Sequence, residues 1–222
     1  MVIVGNQFKK VGDNNAVLNI QDIKPDSFNP DGSDWLNFWD PANGYTMVYW
    51  WGDPDDGIYD PSDTEYENSL GVGWGTADQF KVDFDVNVGR GFWAQSVEGG
   101  TVVDAGEVPS STSVPVSANT MDLVCNPLPM AVNLQKIVPE GFSPDGSDWI
   151  NVWDSENGYT MIYWWGDPED GIYDPSDTEY DNSLGVGWGT ADQFKVDRTI
   201  KIGEGFWVQS VTGGTLTFPT EQ

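Results

Sequence analysis

Apolar residues come in short runs separated by clusters of Gly, Pro, Asn and Asp, and no three-to-four-residue spacing persists through three helical turns. Runs rich in Val, Ile, Phe, Tyr, Trp and Thr predict strands near 2–5, 34–39, 45–51, 79–84, 86–88, 91–97 and 101–104, with counterparts in the second half. Only residues 20–23 and 134–137 predict a short helical turn. Alternation assigns faces: Phe80, Val82 and Phe84 lie opposite Lys81 and Asp83, the pattern of a half-buried strand. Trp35 and Trp39 share a face with Asn37. On the next strand Tyr45, Met47, Tyr49 and Trp51 oppose Thr46, Val48 and Trp50. Two apolar faces on one strand predict that it is sandwiched, or that one face packs on a neighbour.

The pattern occurs twice. DGSDWLNFWD (31–40) recurs as DGSDWINVWD (145–154), and the offset of 114 holds through Val97 and Val211 with 53 of 67 positions identical. Upstream, Met1 to Asn6 matches Met121 to Asn126 at an offset of 120, so six extra residues sit in a connection of the first copy. A repeat of this length predicts an all-β chain of two tandem β-sandwich, jelly-roll-like domains. The domains span 1–107 and 121–222, joined by a Ser/Thr/Pro-rich linker at 108–120. Apolar-for-apolar exchanges at Leu36/Ile150, Val48/Ile162, Val88/Ile202 and Ala94/Val208 mark core positions. Phe84 against Arg198 marks a rim. Residues 114–120 also suit an edge strand running into Met121, with Pro115 tolerated there. Nothing corresponding precedes Met1, so the first copy either does without this strand, is cut from a longer array, or takes one from another copy.

Charge narrows the functions. Thirty-six acids against nine bases give a net charge of −27, which repels nucleic acid and anionic membranes. Acid excess throughout the chain also suits a salty habitat. With no histidine, the usual neutral-pH proton shuttle and the commonest zinc ligand are both missing. Cys125 is alone, which rules out a disulfide within the chain, and its expected role is a small buried residue. No apolar run approaches the roughly 20 residues of a membrane span, and MVIVGNQFKK does not have the form of a signal peptide.

Each aromatic strand leads into an acidic loop. Asp53, Asp55, Asp56, Asp60, Asp63, Glu65 and Glu67 are mirrored by Asp167, Glu169, Asp170, Asp174, Asp177, Glu179 and Asp181, together 14 of the 36 acids. Carboxylates spaced by Gly and Pro turns suit calcium, which takes six to eight oxygens. A solvated acidic loop fits the same residues. Pro30-Asp31-Gly32-Ser33-Asp34 is a second calcium candidate, or a turn whose aspartates cap the loop beside the strand. Twelve tryptophans suit core packing or sugar stacking; Trp74 and Trp188, flanked by glycine, are the best candidates for exposure and hence for a glycan. GRGFWAQSV and GEGFWVQSV carry no P-loop lysine or helix, and nothing beyond abundant acids suggests catalysis, so the expectation is a non-enzyme.

Val4-Gly5-Asn6 with Val124-Cys125-Asn126-Pro127, Asn19 to Ile23, Trp39-Asp40 with Gly44-Tyr45, Gly89-x-Gly91-Phe92-Trp93 with Gly203-x-Gly205-Phe206-Trp207, and Gly213 to Phe218 resemble β-sandwich repeat modules of large secreted or surface proteins of Gram-negative bacteria. The acidic insert at 53–68 departs from that pattern. The resemblance implies an extracellular, non-catalytic module. The expected function is therefore structural or adhesive: self-association or contact with cell-surface components, assembly into an array or filament by strand addition, and calcium as stabiliser. The alternative is a tandem carbohydrate-binding module.

Overall fold

The computed structural model describes residues 2–7, 17–52, 57–103, 113–166, 171–180 and 182–219. The chain divides into two compact units, residues 1–109 and 110–222. In the first, β1 (Val2–Gly5), β2 (Leu18–Asn19), β3 (Lys24–Asp26), β4 (Asp31–Asp40), β5 (Gly44–Trp51), β6 (Gly73–Gly75), β7 (Asp85–Val86), β8 (Gly91–Gln95) and β9 (Thr101–Val103) follow in order. A five-stranded antiparallel sheet runs β1-β8-β4-β5-β6, with β2-β7 and β3-β9 as two smaller sheets. The second unit has β10 (Ser113–Val116), β11 (Thr120–Cys125), β12 (Val132–Asn133), β13 (Val138–Glu140), β14 (Asp145–Asp154), β15 (Gly158–Trp165), β16 (Gly187–Gly189), β17 (Thr199–Ile200), β18 (Gly205–Ser210) and β19 (Gly214–Thr217). Its sheets are β11-β18-β14-β15-β16, β12-β17 and β10-β19-β13. The protein is all-β, with one-turn 3-10 segments only at Ile20–Asp22 and Leu134–Lys136 among the described residues.

Strands of two or three residues have little stability of their own, so packing must hold them. Leu36 and Phe38 of β4, Val48 and Trp50 of β5, and Phe92 and Ala94 of β8 point to one side of the large sheet. There they meet Ile20, Ile23, Phe28 and Val86 in one core. Burying each large side chain contributes roughly 1.5–3 kcal/mol, which is what fixes the short elements. Three of the four exchange pairs lie in these cores: Leu36/Ile150, Val48/Ile162 and Ala94/Val208 are all buried.

The fourth does not. Ile202 is 56 % exposed, and Val86 and Ile200 occupy the core position instead. Arg90 N–H to Asn87 C=O (3.0 Å) and Glu204 N–H to Lys201 C=O (3.1 Å) close tight turns that swing Val88 and Ile202 away from the core. Residues 79–84 likewise form no strand. Gln79 turns the chain at φ +65°, and only Phe80 and Lys81 make isolated bridges, although Val82 and Phe84 still pack against the core. The change of offset from 114 to 120 reappears in the register, where Val2 pairs with Ala94 and Asp122 with Val208. Residues 113–116 of the expected linker are a strand of the second unit, paired with β19.

The turn at 30–34 is structural. Register shifts between Asp31 and Trp35, and Gly32 sits at φ +78° beneath the Trp51 ring, which passes 2.3 Å from where a Cβ would stand. Only glycine fits there. Asp34 is wholly buried and accepts the N–H groups of Asn29 and Val97, each at 2.7 Å, and the Ser96 hydroxyl at 2.7 Å. Asp148 repeats the arrangement with Ser143, Val211 and Ser210. These carboxylates tie three segments together and are satisfied by protein donors.

Candidate functional site

The side of the large sheet opposite the core carries a second set of aromatic residues. Pairing on β4, β5 and β8 places Trp35 beside Tyr49 and Gln95, Asn37 between Met47 and Trp93, and Trp39 beside Tyr45. The face is open toward β5, where Tyr45 is 55 % and Met47 39 % exposed, and closed at Trp93, which is buried. Trp39 and Tyr45 meet edge to face at 4.9 Å, and Tyr49 and Trp51 lie 6.5 Å apart. The Trp51 indole donates to Thr76 C=O at 2.9 Å, so one edge of the ring is pinned while its face rests over Gly32. The second unit reproduces each feature with Trp153, Tyr159, Met161, Tyr163 and Trp165.

At the centre of each face the side-chain oxygen of Asn37, or of Asn151, is buried with no hydrogen-bond partner. A buried amide left unpaired is costly, and natural proteins keep few of them.

Trp74 and Trp188 are not on this surface. Both are wholly buried, and their indoles donate to Ile23 C=O at 2.7 Å and Ile137 C=O at 2.8 Å. This corrects the expectation that the glycine flanks expose them. Gln21 holds the segment from below, with its amide donating to Trp74 C=O and Val82 C=O (each 2.7 Å) and its oxygen accepting Trp74 N–H. Gln135 does the same around Trp188. The repeated Asn-x-Gln of each 3-10 turn is the sequence signal for this clamp.

The acidic bends are built by their own carboxylates. Asp60 accepts the Ser62 N–H and hydroxyl (2.9 and 2.5 Å); Asp63 accepts the N–H groups of Glu65 and Asn68 (3.0 and 3.3 Å). Those bonds hold both carboxyls below the usual range, the Ser62 hydroxyl leading for Asp60 and the Glu65 N–H for Asp63. Asp174 and Asp177 repeat the bonds, and Ser176 likewise lowers Asp174. Tyr66, at φ +56°, anchors the bend between Tyr59 and Phe80 at 5.1 and 5.3 Å. Glu65 and Glu179 line the same open hollows as these aspartates. Asp53, Asp55, Asp56, Asp167, Glu169 and Asp170 lie outside the described residues. Among the described residues no three acids are placed to share a metal ion, and no helix is long and apolar enough to cross a membrane.

Comparison with protein families, with characterised proteins and with solved structures finds no match.

Proposed function

We propose that the chain is a non-catalytic adhesive protein of two tandem sandwich domains, displayed outside the cell, that binds neutral glycans through its paired aromatic sheet faces. The observation that carries this reading is a contrast between the two sides of one sheet. Four of the six inward positions differ between the copies, at Leu36/Ile150, Phe38/Val152, Val48/Ile162 and Ala94/Val208, with only Trp50/Trp164 and Phe92/Phe206 kept, whereas Trp35, Asn37, Trp39, Tyr45, Met47, Tyr49, Trp51, Trp93 and Gln95 are each identical to their counterparts. Exposed positions ordinarily drift more freely than the core. Retention of a partly exposed aromatic face points to a shared ligand.

Aromatic rings supply flat apolar contact at low entropic cost, and the half-buried Gln95 beside Trp35 supplies a polar contact, a combination suited to pyranose rings. A net charge of −27 disfavours anionic polysaccharides and leaves neutral ones. Two equivalent faces on one chain add avidity, with gains of roughly 10²–10⁴ where both engage one polymer. Calcium acts in this proposal as a counter-ion for the acidic bends; it raises the melting temperature more than monovalent salt of equal ionic strength.

A neutral-glycan array followed by pull-down on insoluble polysaccharide tests the proposal. Tyr45→Ala with Trp39→Ala reduces binding to that of one face, and adding Tyr159→Ala with Trp153→Ala removes it. Unchanged retention by the fourfold variant, with melting preserved, rejects the glycan face.

A further inference from the structure

The two units differ at one sheet edge. In the second, β19 lies between β13 and β10, with Val114 opposite Leu216 and Val116 opposite Gly214. In the first, β9 pairs with β3 alone among the described residues.

Proline fixes where the open hydrogen bonds point. Pro139 faces Leu216 and has no N–H, so that pair is of the non-bonded type, and the Leu216 amide and carbonyl turn toward Val114. Pro25 faces Val102 in the same register, which turns the Val102 N–H and C=O away from β3, to the side where no described strand lies.

The side chains and glycines tell the same story. Val114 and Val116 are buried in the second core, and Leu216, opposite Val114, and Ser210, bridged to Ala118, are wholly buried. Their counterparts Val102 and Ser96 are only partly buried. A Cβ on Gly213 would meet Ala118 N at 3.0 Å and Val116 O at 3.1 Å, because the β10 segment runs against it. At Gly99, with nearly the same backbone (φ +86° against +74°), nothing among the described residues lies within 4 Å. A strand-shaped place is occupied in one unit and, among the described residues, unoccupied in its near-identical twin.

We propose that β9 of the first unit is an acceptor edge for one incoming strand from another polypeptide segment, of the chemistry that Ser113–Val116 displays: extended, with aliphatic residues two apart among small polar ones and proline. The Val102 amide and carbonyl give it backbone bonds, and its aliphatic side chains lie over Val102 and toward Val4 as Val114 and Val116 lie in the second core. Such an edge links copies or segments in series. It stands independently of the glycan reading.

The test uses the whole chain and a fluorescent nonapeptide of residues 112–120. Saturable binding of one peptide per chain is expected, and Asp at the positions of Val114 and Val116 in the peptide weakens it about tenfold or more. Hydrogen exchange of the free protein should show a fast Val102 amide and a slow Leu216 amide, with the peptide slowing Val102. Val102→Pro removes the donated bond while sparing the pairing with β3, and it abolishes binding. Absence of saturable binding, equal binding of the Asp peptide, equal binding by Val102→Pro, or a Val102 amide already as slow as Leu216 would each overturn the proposal.

Discussion

Trp74 is flanked by Gly73 and Gly75, and in sequence such flanks suggest a ring without apolar neighbours. The glycines serve the opposite purpose. A Cβ on Gly73 would stand 2.5 Å from Ile58 Cδ1 and 2.7 Å from Gln21 Oε1, so the strand is crowded from both sides and the indole is driven into the core. Trp74→Ala and Trp188→Ala should each destabilise their own unit by about 3–5 kcal/mol, read by urea unfolding. Tyr45→Ala, on the open face, should cost about 1 kcal/mol or less. Equal losses at Trp74 and Tyr45 would contradict this division between rings that hold the fold and rings that face outward. Asp34 follows the same logic for a polar group. Asp34→Ala leaves the N–H groups of Asn29 and Val97 and the Ser96 hydroxyl without their acceptor, and should cost about 3 kcal/mol or more.

Among the elements, β1, β4, β5, β8 and β9 and both one-turn helices were legible from apolar runs and punctuation, because the alternation of period two is dictated by the core they cover. What escaped was non-local. Residues 79–84 alternate like a strand, yet Thr76 accepts the Gln79 N–H, and its own N–H bonds Phe80 C=O, so the segment is held by a turn instead of a ladder. The face of β5 turned to the core could not be chosen from the sequence, since Trp50 and Trp51 are equally apolar and only pairing with β4 decides. The acidic bends suggested an ion because carboxylate spacing is visible, whereas the backbone N–H groups and the Ser62 and Ser176 hydroxyls that claim those carboxylates are assigned only by the folded bend. Their pH response follows from this. Asp60, Asp63 and Asp174 have folded pKa values below the ordinary 3.8, so the unfolded chain binds protons more readily and acid removes stability. The contribution is complete above about pH 4.5 and disappears as pH falls through the lowered values. Melting temperature followed from about pH 6 to about pH 2.5, in roughly 0.5 M salt to suppress self-repulsion, should fall mainly below about pH 4. Asp60→Asn with Asp63→Asn and Asp174→Asn should flatten that fall; an unchanged slope would mean that these bends do not couple to folding.

At the scale of the whole molecule, near-identity of the repeats predicts near-identity of stability, and β10, which has no counterpart among the described residues of the first unit, predicts a departure from it. The second unit buries Val114 and Val116 and satisfies the β19 edge, whereas the first has only β3 against β9 among the described residues. Two aliphatic side chains at roughly 1.5–3 kcal/mol each set an upper estimate for the difference. Calorimetry of the intact chain should therefore resolve two transitions, the lower belonging to the first unit. Val114→Asp should move only the upper one downward, by roughly 4–8 °C per kcal/mol lost for a domain of this size. The assignment can be cross-checked with Trp74→Ala, which should lower only the first transition, and Trp188→Ala, which should lower only the second. If Val114→Asp instead moves the lower transition, or both transitions together, then β10 does not stabilise the unit it pairs with, and the contrast between the two edges, as the described residues draw it, loses its energetic basis.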